Sequence, residues 1–270
     1  MGRFSTSRHA FYGVLGALAQ ALFPARCLAC GEPVGLVGQS AATAASPLAG
    51  MVCDACAGNV QPVGSPLCLQ CGMMFKSREG PDHLCQDCMT RPRRFFRARA
   101  AGIYHKSLMS LVLALKYRGK TRVAEPLGRW LFETFVDHWA AGEIDRIVPV
   151  PLHARRFRSR GFNQAYLLIR RWPDMAREMA EAAPSWQVVR DVLVRNRPTA
   201  SQTGLDRRAR TKNVRGAFAV PRPEAVAGRR ILLVDDVMTT GATADACARV
   251  LRTAGAERVD VLTLARANRF

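Results

Sequence analysis

Downstream of residue 100 the chain alternates two hydrophobic rhythms. Apolar positions recur every three or four residues over 108–117 and 123–139, the spacing that lays one apolar face along a helix. Short runs rich in branched residues stand at 146–150, 188–194, 231–234 and 259–264, and helical spacing returns between them over 163–181 and 242–254. Strands alternating with helices predict an α/β domain, a parallel sheet flanked by helices on both faces. Ligands of such sheets sit beyond the carboxyl ends of the strands, so the loops after Val150, Val194 and Val234 are where chemistry is expected.

Upstream this rhythm is lost. Residues 1–24 form a leader in which Arg3 and Arg8 precede an apolar run over 10–23, and residues 25–91 hold every cysteine except Cys247 among Gly, Pro and Ser. Within them, 35–50 reads as a flexible Ala/Ser/Gly loop, and a basic connector over 91–99 leads into the α/β domain. The expected organisation is therefore a helical leader (1–24), a Cys-rich module (25–91) and the α/β domain (92–270). No stretch reaches the ~20 uninterrupted apolar residues of a membrane span, so a soluble protein is expected.

Charge sharpens the picture. Forty basic against 21 acidic residues give a formal net charge of +19, and the basic residues are Arg except for Lys76, Lys106, Lys116, Lys120 and Lys212. A planar fork of donors suits phosphate, which points to an anionic partner. In the connector, Arg91, Arg93, Arg94, Arg97 and Arg99 surround Phe95 and Phe96. Cations that track phosphates beside rings that stack bases suit single-stranded DNA.

The cysteines form four C-x-x-C pairs: Cys27/Cys30, Cys53/Cys56, Cys68/Cys71 and Cys85/Cys88. This spacing suits a metal rather than disulfides, and four pairs supply two tetrahedral zinc sites of four thiolates each, by sequence neighbours or by crossed pairing. An iron–sulfur cluster accepts the same thiolates. Gly31 and Gly72 follow two of the pairs, where a tight turn is expected to aim a backbone N–H at a sulfur. Such thiols need a reducing compartment, so a cytoplasmic protein is expected, with the leader an amphipathic helix rather than a secretion signal. Metal removal is expected to unfold this module and leave the α/β domain folded.

The most informative segment is 231–243, Ile-Leu-Leu-Val-Asp-Asp-Val-Met-Thr-Thr-Gly-Ala-Thr. A buried strand ending at Val234 delivers Asp235 and Asp236, and Thr239, Thr240, Gly241, Ala242 and Thr243 turn the chain into a helix. Backbone N–H groups, hydroxyls and a positive helix end then surround one point, which suits a phosphate. The two carboxylates repel phosphate, so their partners are hydroxyl donors or a hard cation such as Mg2+. A ligand with vicinal hydroxyls beside a phosphate satisfies both halves. Two further loops are basic: Arg155, Arg156, Arg158 and Arg160 follow the strand at 146–150, and 195–215 is a long polar loop containing Arg210 and Lys212.

The 231–243 segment resembles the diphosphoribose-binding motif of type I phosphoribosyltransferases. That resemblance implies that Asp235 and Asp236 hold the ribose hydroxyls of 5-phosphoribosyl diphosphate, with Val234 and Thr239 to Thr243 around the 5-phosphate. It also implies that Leu152, His153, Arg155, Arg156 and Arg160 cradle the diphosphate, in a loop of unusual peptide geometry. The 195–215 loop would close over the ligand, and Arg210 or Lys212 would assist the leaving diphosphate. The acceptor would be recognised by a hood over 100–143.

A double zinc ribbon followed by a type I phosphoribosyltransferase fold resembles the ComF family. The likeness runs from about residue 22 to 264 through Phe23-Pro24, the four knuckles, Leu115-Lys116-Tyr117, Arg160 to Gln164, Gln202 to Asn213 and Asp235-Asp236. It implies a link to natural transformation, with incoming single-stranded DNA and the competence helicase machinery as cytoplasmic partners. Two functions stay open at this point: a phosphoribosyltransferase or sensor of its donor substrate, and a nucleic-acid-binding module whose sugar site is regulatory or vestigial.

Overall fold

The computed structural model describes residues 26–34, 46–77, 79–117, 119–180, 183–199 and 207–268, without the side chains of Arg207 and Arg208. The leader, most of the 35–50 loop and the centre of the 195–215 loop lie outside the described residues. The chain divides into two compact units after Asn59. In the first, an antiparallel bridge between Arg26 and Pro33 closes the turn that carries Cys27 and Cys30. Helix α1 (Asp54–Gly58) follows directly on Cys53.

The second unit opens with the remaining cysteine pairs and the short helix α2 (Gln86–Thr90). Its sheet begins with β1 (Ala98–Ile103), after which α3 (Lys106–Tyr117) and α4 (Ala124–His138) lead to β2 (Arg146–Pro149). Helices α5 (Ala154–Arg160), α6 (Gln164–Ile169) and α7 (Trp172–Met179) connect to β3 (Gln187–Val188). A two-stranded ribbon of β4 (Val194–Arg195) and β5 (Phe218–Ala219) brackets α8 (Arg207–Val214). Strand β6 (Arg230–Met238), helix α9 (Ala242–Thr253) and β7 (Arg258–Arg266) complete the unit.

The sheet is parallel throughout, in the order β1-β7-β6-β2-β3. Ile231, Leu232, Leu233 and Val234 are fully buried because β6 is covered on both faces, as its unbroken apolar run requires. Among the described residues, no helix is long and apolar enough to cross a membrane.

Two elements depart from the expected pattern. β1 is a full strand where only a connector and hood were expected. Its sequence, Ala-Arg-Ala-Ala-Gly-Ile, is poor in strand formers, and pairing with β7 supplies what intrinsic preference does not. Gly102 is required there, since a Cβ would stand 2.5 Å from the Trp130 ring. The run at 188–194 is not one strand. Gln187–Val188 joins the sheet beside β2, the chain breaks at the exposed Arg190 and Asp191, and Val194–Arg195 leaves to pair with β5.

The second set of cysteines packs into the sheet's own core. Cys68, Cys71, Cys85 and Cys88 share a buried cluster with Phe95, Val261, Met238 and Ala242. Gly72 adopts a left-handed φ of 63°, and a Cβ on it would stand 2.5 Å from the Ala98 carbonyl oxygen, so the knuckle lies directly on β1. In place of the indifferent C-terminal domain expected from sequence, this packing predicts that metal removal from this set disturbs the α/β core.

Candidate functional site

The carboxyl ends of β2 and β6 open into a cavity of about 320 Å³. The unbroken β6 carries Asp235 and Asp236 to its floor, and Thr239 and Thr243 line it from the turn into α9. Gly241 caps that helix in the left-handed region, φ 78°, and a Cβ there would meet the Met238 methyl at 2.9 Å. Glycine is thus required at this turn, which stands at the positive end of a twelve-residue helix. Thr240 tightens the turn, its Oγ1 accepting from Ala242 N at 3.4 Å. Val234 is buried beneath the cavity rather than on its surface.

The acidic pair is held under strain of charge. Burial and the adjacent Asp236 carboxylate raise Asp235 to about 7, against the opposing pull of Lys116 and Arg195. Asp236 accepts an ion pair from Lys116 Nζ at 2.7 Å. Burial alone would depress that lysine, but the Asp236 carboxylate outweighs it and lifts Lys116 above its ordinary range. A divalent cation would relieve a carboxylate that resists ionisation next to another, and Asp235 and Asp236 are the residues that could hold one.

Basic residues from three elements face this floor. Arg156 and Arg160 of α5 line the cavity beside Leu152, and so do Arg195 of β4 and Arg210 of α8. Arg156 Nη2 donates to the Thr199 carbonyl at 2.9 Å, Arg195 Nη2 to the Thr199 hydroxyl, and Arg210 Nη1 to Thr239 Oγ1 at 2.8 Å. Arg195 is 9% exposed, and its buried Nε has no hydrogen-bond partner among the described residues. A buried guanidinium with an idle donor favours an anion nearby.

Other expected members lie elsewhere. His153 caps α5, its Nδ1 accepting from Arg155 N at 3.2 Å, while the Arg155 side chain is exposed and off the cavity. The peptide bonds of this loop are ordinary, the cis bond among the described residues being Ser65–Pro66. Lys212 is exposed and does not line the cavity, whereas Arg210 does. Lys116, Tyr104 and Arg195 were not singled out as site residues from sequence. Lys116 stands in the Leu115-Lys116-Tyr117 string, which was the available signal.

The two thiol sets are those of sequence neighbours. Cys27, Cys30, Cys53 and Cys56 place their sulfurs within 4.8 Å of one another, and Cys68, Cys71, Cys85 and Cys88 do the same. Backbone N–H groups point at the sulfurs, from Cys30 to Cys27 Sγ (3.5 Å) and from Cys71 and Cys85 to Cys68 Sγ (3.4 and 3.3 Å). The hydrogen bond from Cys71, together with these N–H groups, outweighs burial and draws Cys68 down to about 4. Four converging sulfurs, with backbone N–H groups aimed among them, fit a tetrahedral zinc. Gly31 and Gly72 have the expected positive φ, but their N–H groups bond the carbonyls of Cys27 and Cys68 and not the sulfurs.

Beside the second set runs an open groove of about 870 Å³, lined by Arg93, Arg94, Arg97 and Arg99, joined by Arg252 and Arg258. Phe96 is 61% exposed, with the Arg258 guanidinium 4.4 Å from its ring centre. The arginines differ in their engagements. Arg97 pairs with Glu143 at 3.1 Å, and Arg99 donates to the carbonyls of Leu69 and Ala98. Arg91 and Arg94 are exposed, and Phe95 is buried in the core rather than presented to a partner.

Residues 18–89 match the family model of the double zinc ribbon domain, and residues 171–269 that of the phosphoribosyl transferase domain. The chain is 32% identical over 221 residues to DNA utilization protein YhgH of Escherichia coli K12, which covers 80% of this chain and 90% of that protein. The protein of the same name from Salmonella typhimurium is 35% identical over 218 residues, with the same coverage. Competence protein F of Haemophilus influenzae is 30% identical over 233 residues, covering 80% of this chain and 96% of that protein.

Proposed function

Because the chain belongs to the ComF family of competence-linked, phosphoribosyltransferase-fold proteins, we propose that it binds 5-phosphoribosyl diphosphate with Mg2+ at the end of β6, in the cytoplasmic handling of incoming single-stranded DNA. One observation carries the ligand: a paired carboxylate, threonine hydroxyls at a glycine-capped helix and several arginines converge on a single cavity. Asp235 and Asp236 take the ribose hydroxyls and the metal, and Thr239 to Thr243 take the 5-phosphate. Leu152, Arg156 and Arg160 face the diphosphate.

In a transfer reaction the bond from the sugar's anomeric carbon to the diphosphate breaks as a nucleophile's bond to that carbon forms. Negative charge then grows on the diphosphate. Arg210 is the loop cation for that charge in preference to Lys212, since it lines the cavity and already reaches Thr239. Tyr104, Leu113 and Tyr117 also line the cavity, which supports the acceptor reading of the 100–143 segment. Bound Mg2+ would supply charge neutralisation at the leaving group. Calorimetry with 5-phosphoribosyl diphosphate, with and without Mg2+, tests the assignment. The double substitution Asp235→Ala, Asp236→Ala should abolish binding, and unchanged affinity would sink the site.

The basic groove favours a nucleic-acid function alongside this one, since exposed Phe96 lies among cations. Replacing Arg91 and Arg94 with Gln and Phe96 with Ala should weaken binding of a single-stranded oligonucleotide about tenfold. The slope of log K against log salt should fall by about 1.4, at roughly 0.7 per lost contact. The pair Arg122→Gln, Arg249→Gln removes equal charge from exposed positions elsewhere and should do little. Equal losses from both sets would leave only a diffuse field.

A further inference from the structure

The second thiol set is built against the ligand turn, and one side chain spans the two. Arg266 ends β7 and is 5% exposed. Its Nη1 donates to the carbonyl oxygens of Met238, at 2.9 Å, and Thr239, the residues through which β6 enters the phosphate turn. Its Nη2 reaches Cys71 Sγ at 3.8 Å. A guanidinium held away from water needs countercharge, and a metal-bound thiolate provides it. The rigid fork then fixes the spacing between the sulfur and the two carbonyls.

Two further contacts lie beside this bridge, one from the same knuckle and one from the segment that follows the cysteines. Gln70, between Cys68 and Cys71, accepts the Arg93 N–H at 3.2 Å and donates to its carbonyl at 3.5 Å. Arg93 Nη1 in turn lies 3.8 Å from where a side chain on Gly241 would begin. Arg94 donates its backbone N–H to Asp245 Oδ1 of α9 at 2.7 Å. The residues beside the second set thus also hold the helix into which the turn leads.

We propose that Arg266 is a positioning residue through which the second four-cysteine centre holds the Met238–Thr239 turn in its ligand-binding shape, so that metal loss there releases 5-phosphoribosyl diphosphate. This rests on the ligand assignment made above. Coupling between two sites is reciprocal. If the intact centre favours the ligand, the bound ligand protects the centre, and Arg266 carries that protection.

The test uses the full-length, zinc-loaded protein in Mg2+, challenged with a zinc-selective chelator and iodoacetamide. Peptide mass spectrometry follows alkylation of Cys68, Cys71, Cys85 and Cys88 with and without 5-phosphoribosyl diphosphate, and calorimetry measures affinity in parallel. In the wild type, saturating ligand should slow alkylation of these four several-fold. Arg266→Met, with both zinc ions retained, should bind about tenfold more weakly or worse and lose the protection. Arg266→Lys keeps the charge without the fork and should recover only part of each.

A wild type that binds ligand with no change in alkylation overturns the proposal, as does Arg266→Met that binds and protects like wild type. If Arg266→Met does not fold, the wild-type protection and Arg266→Lys decide. A wild type that shows no calorimetric binding removes the ligand assignment itself, and is distinguished from a failure of coupling by that measurement alone.

Discussion

The two thiol sets have the same ligands at the same short spacing and different surroundings. In the first, Cys27 is buried, Cys30 is exposed, and Cys53 and Cys56 are half-buried, within a unit that ends at Asn59. In the second, all four cysteines are buried among side chains of the sheet and the ligand turn. Spacing supplies a four-thiolate set in both cases. Packing decides what depends on it: the first holds its own loops together, while the second is a piece of the α/β core.

The largest effect that would break this contrast concerns stability. Zinc bound in a structural site contributes folding energy of roughly 10 kcal/mol or more. Cys85→Ser should therefore lower the calorimetric unfolding temperature of the main transition sharply and abolish ligand binding. Cys53→Ser should lose one zinc by elemental analysis and leave that transition near its place. If the two variants behave alike, the difference in packing has no energetic meaning. A zinc-selective chelator should likewise strip the Cys27 set before the Cys68 set, and the reverse order of cysteine alkylation would contradict the burial pattern.

A smaller effect separates the acidic pair from the second thiol set. Asp235, facing Asp236, Lys116, Arg195 and Cys247, is raised to about 7. A raised carboxylate holds its proton up to that pH, and Mg2+ must displace it. Affinity for the metal and ligand should therefore climb as pH rises from 6 toward 7, by up to about tenfold per unit, and level off above 8. Zinc content measured at each pH keeps the two causes apart. A flat profile at constant zinc would show that Asp235 is ionised throughout. Smallest should be Gln70→Ala, which removes a bridge from the second knuckle to Arg93. It should weaken ligand about threefold, within the range of a neutral hydrogen bond, with zinc retained. Ala29→Ser at the first knuckle should leave calorimetric affinity unchanged.

Much of this was legible in the sequence, for physical reasons. Residues 231–243 carry strand, acidic pair and glycine-capped turn in one uninterrupted string, and the C-x-x-C pairs recur at a spacing that suits a metal. Each signal is local. Lys116, Arg195 and Arg266 were not legible as site residues because α3, β4 and β7 deliver them from separate parts of the chain, and only the fold brings them together. β1 was missed because Ala and Gly carry no strand signal, and the 188–194 run was misread because its apolar residues belong to two different sheets. Of the two loop cations, Arg210 and Lys212, only Arg210 lines the cavity, and a helix as uniformly polar as α8 has no apolar period to show which face looks inward.

Strand β7 lies between β1 and β6, although it follows both of them in the chain. Until it arrives, β1 and β6 have no common neighbour, and Arg266 cannot reach the turn it supports. On the ribosome, then, the sheet cannot be completed before residues 258–266 are made, since a long loop must close to seat that strand. A nascent chain cut short before residue 258 would carry the acidic pair and the cysteines without the side chain that joins Cys71 to the Met238–Thr239 turn. The last strand to be made is thus the one that ties the two halves of the sheet together.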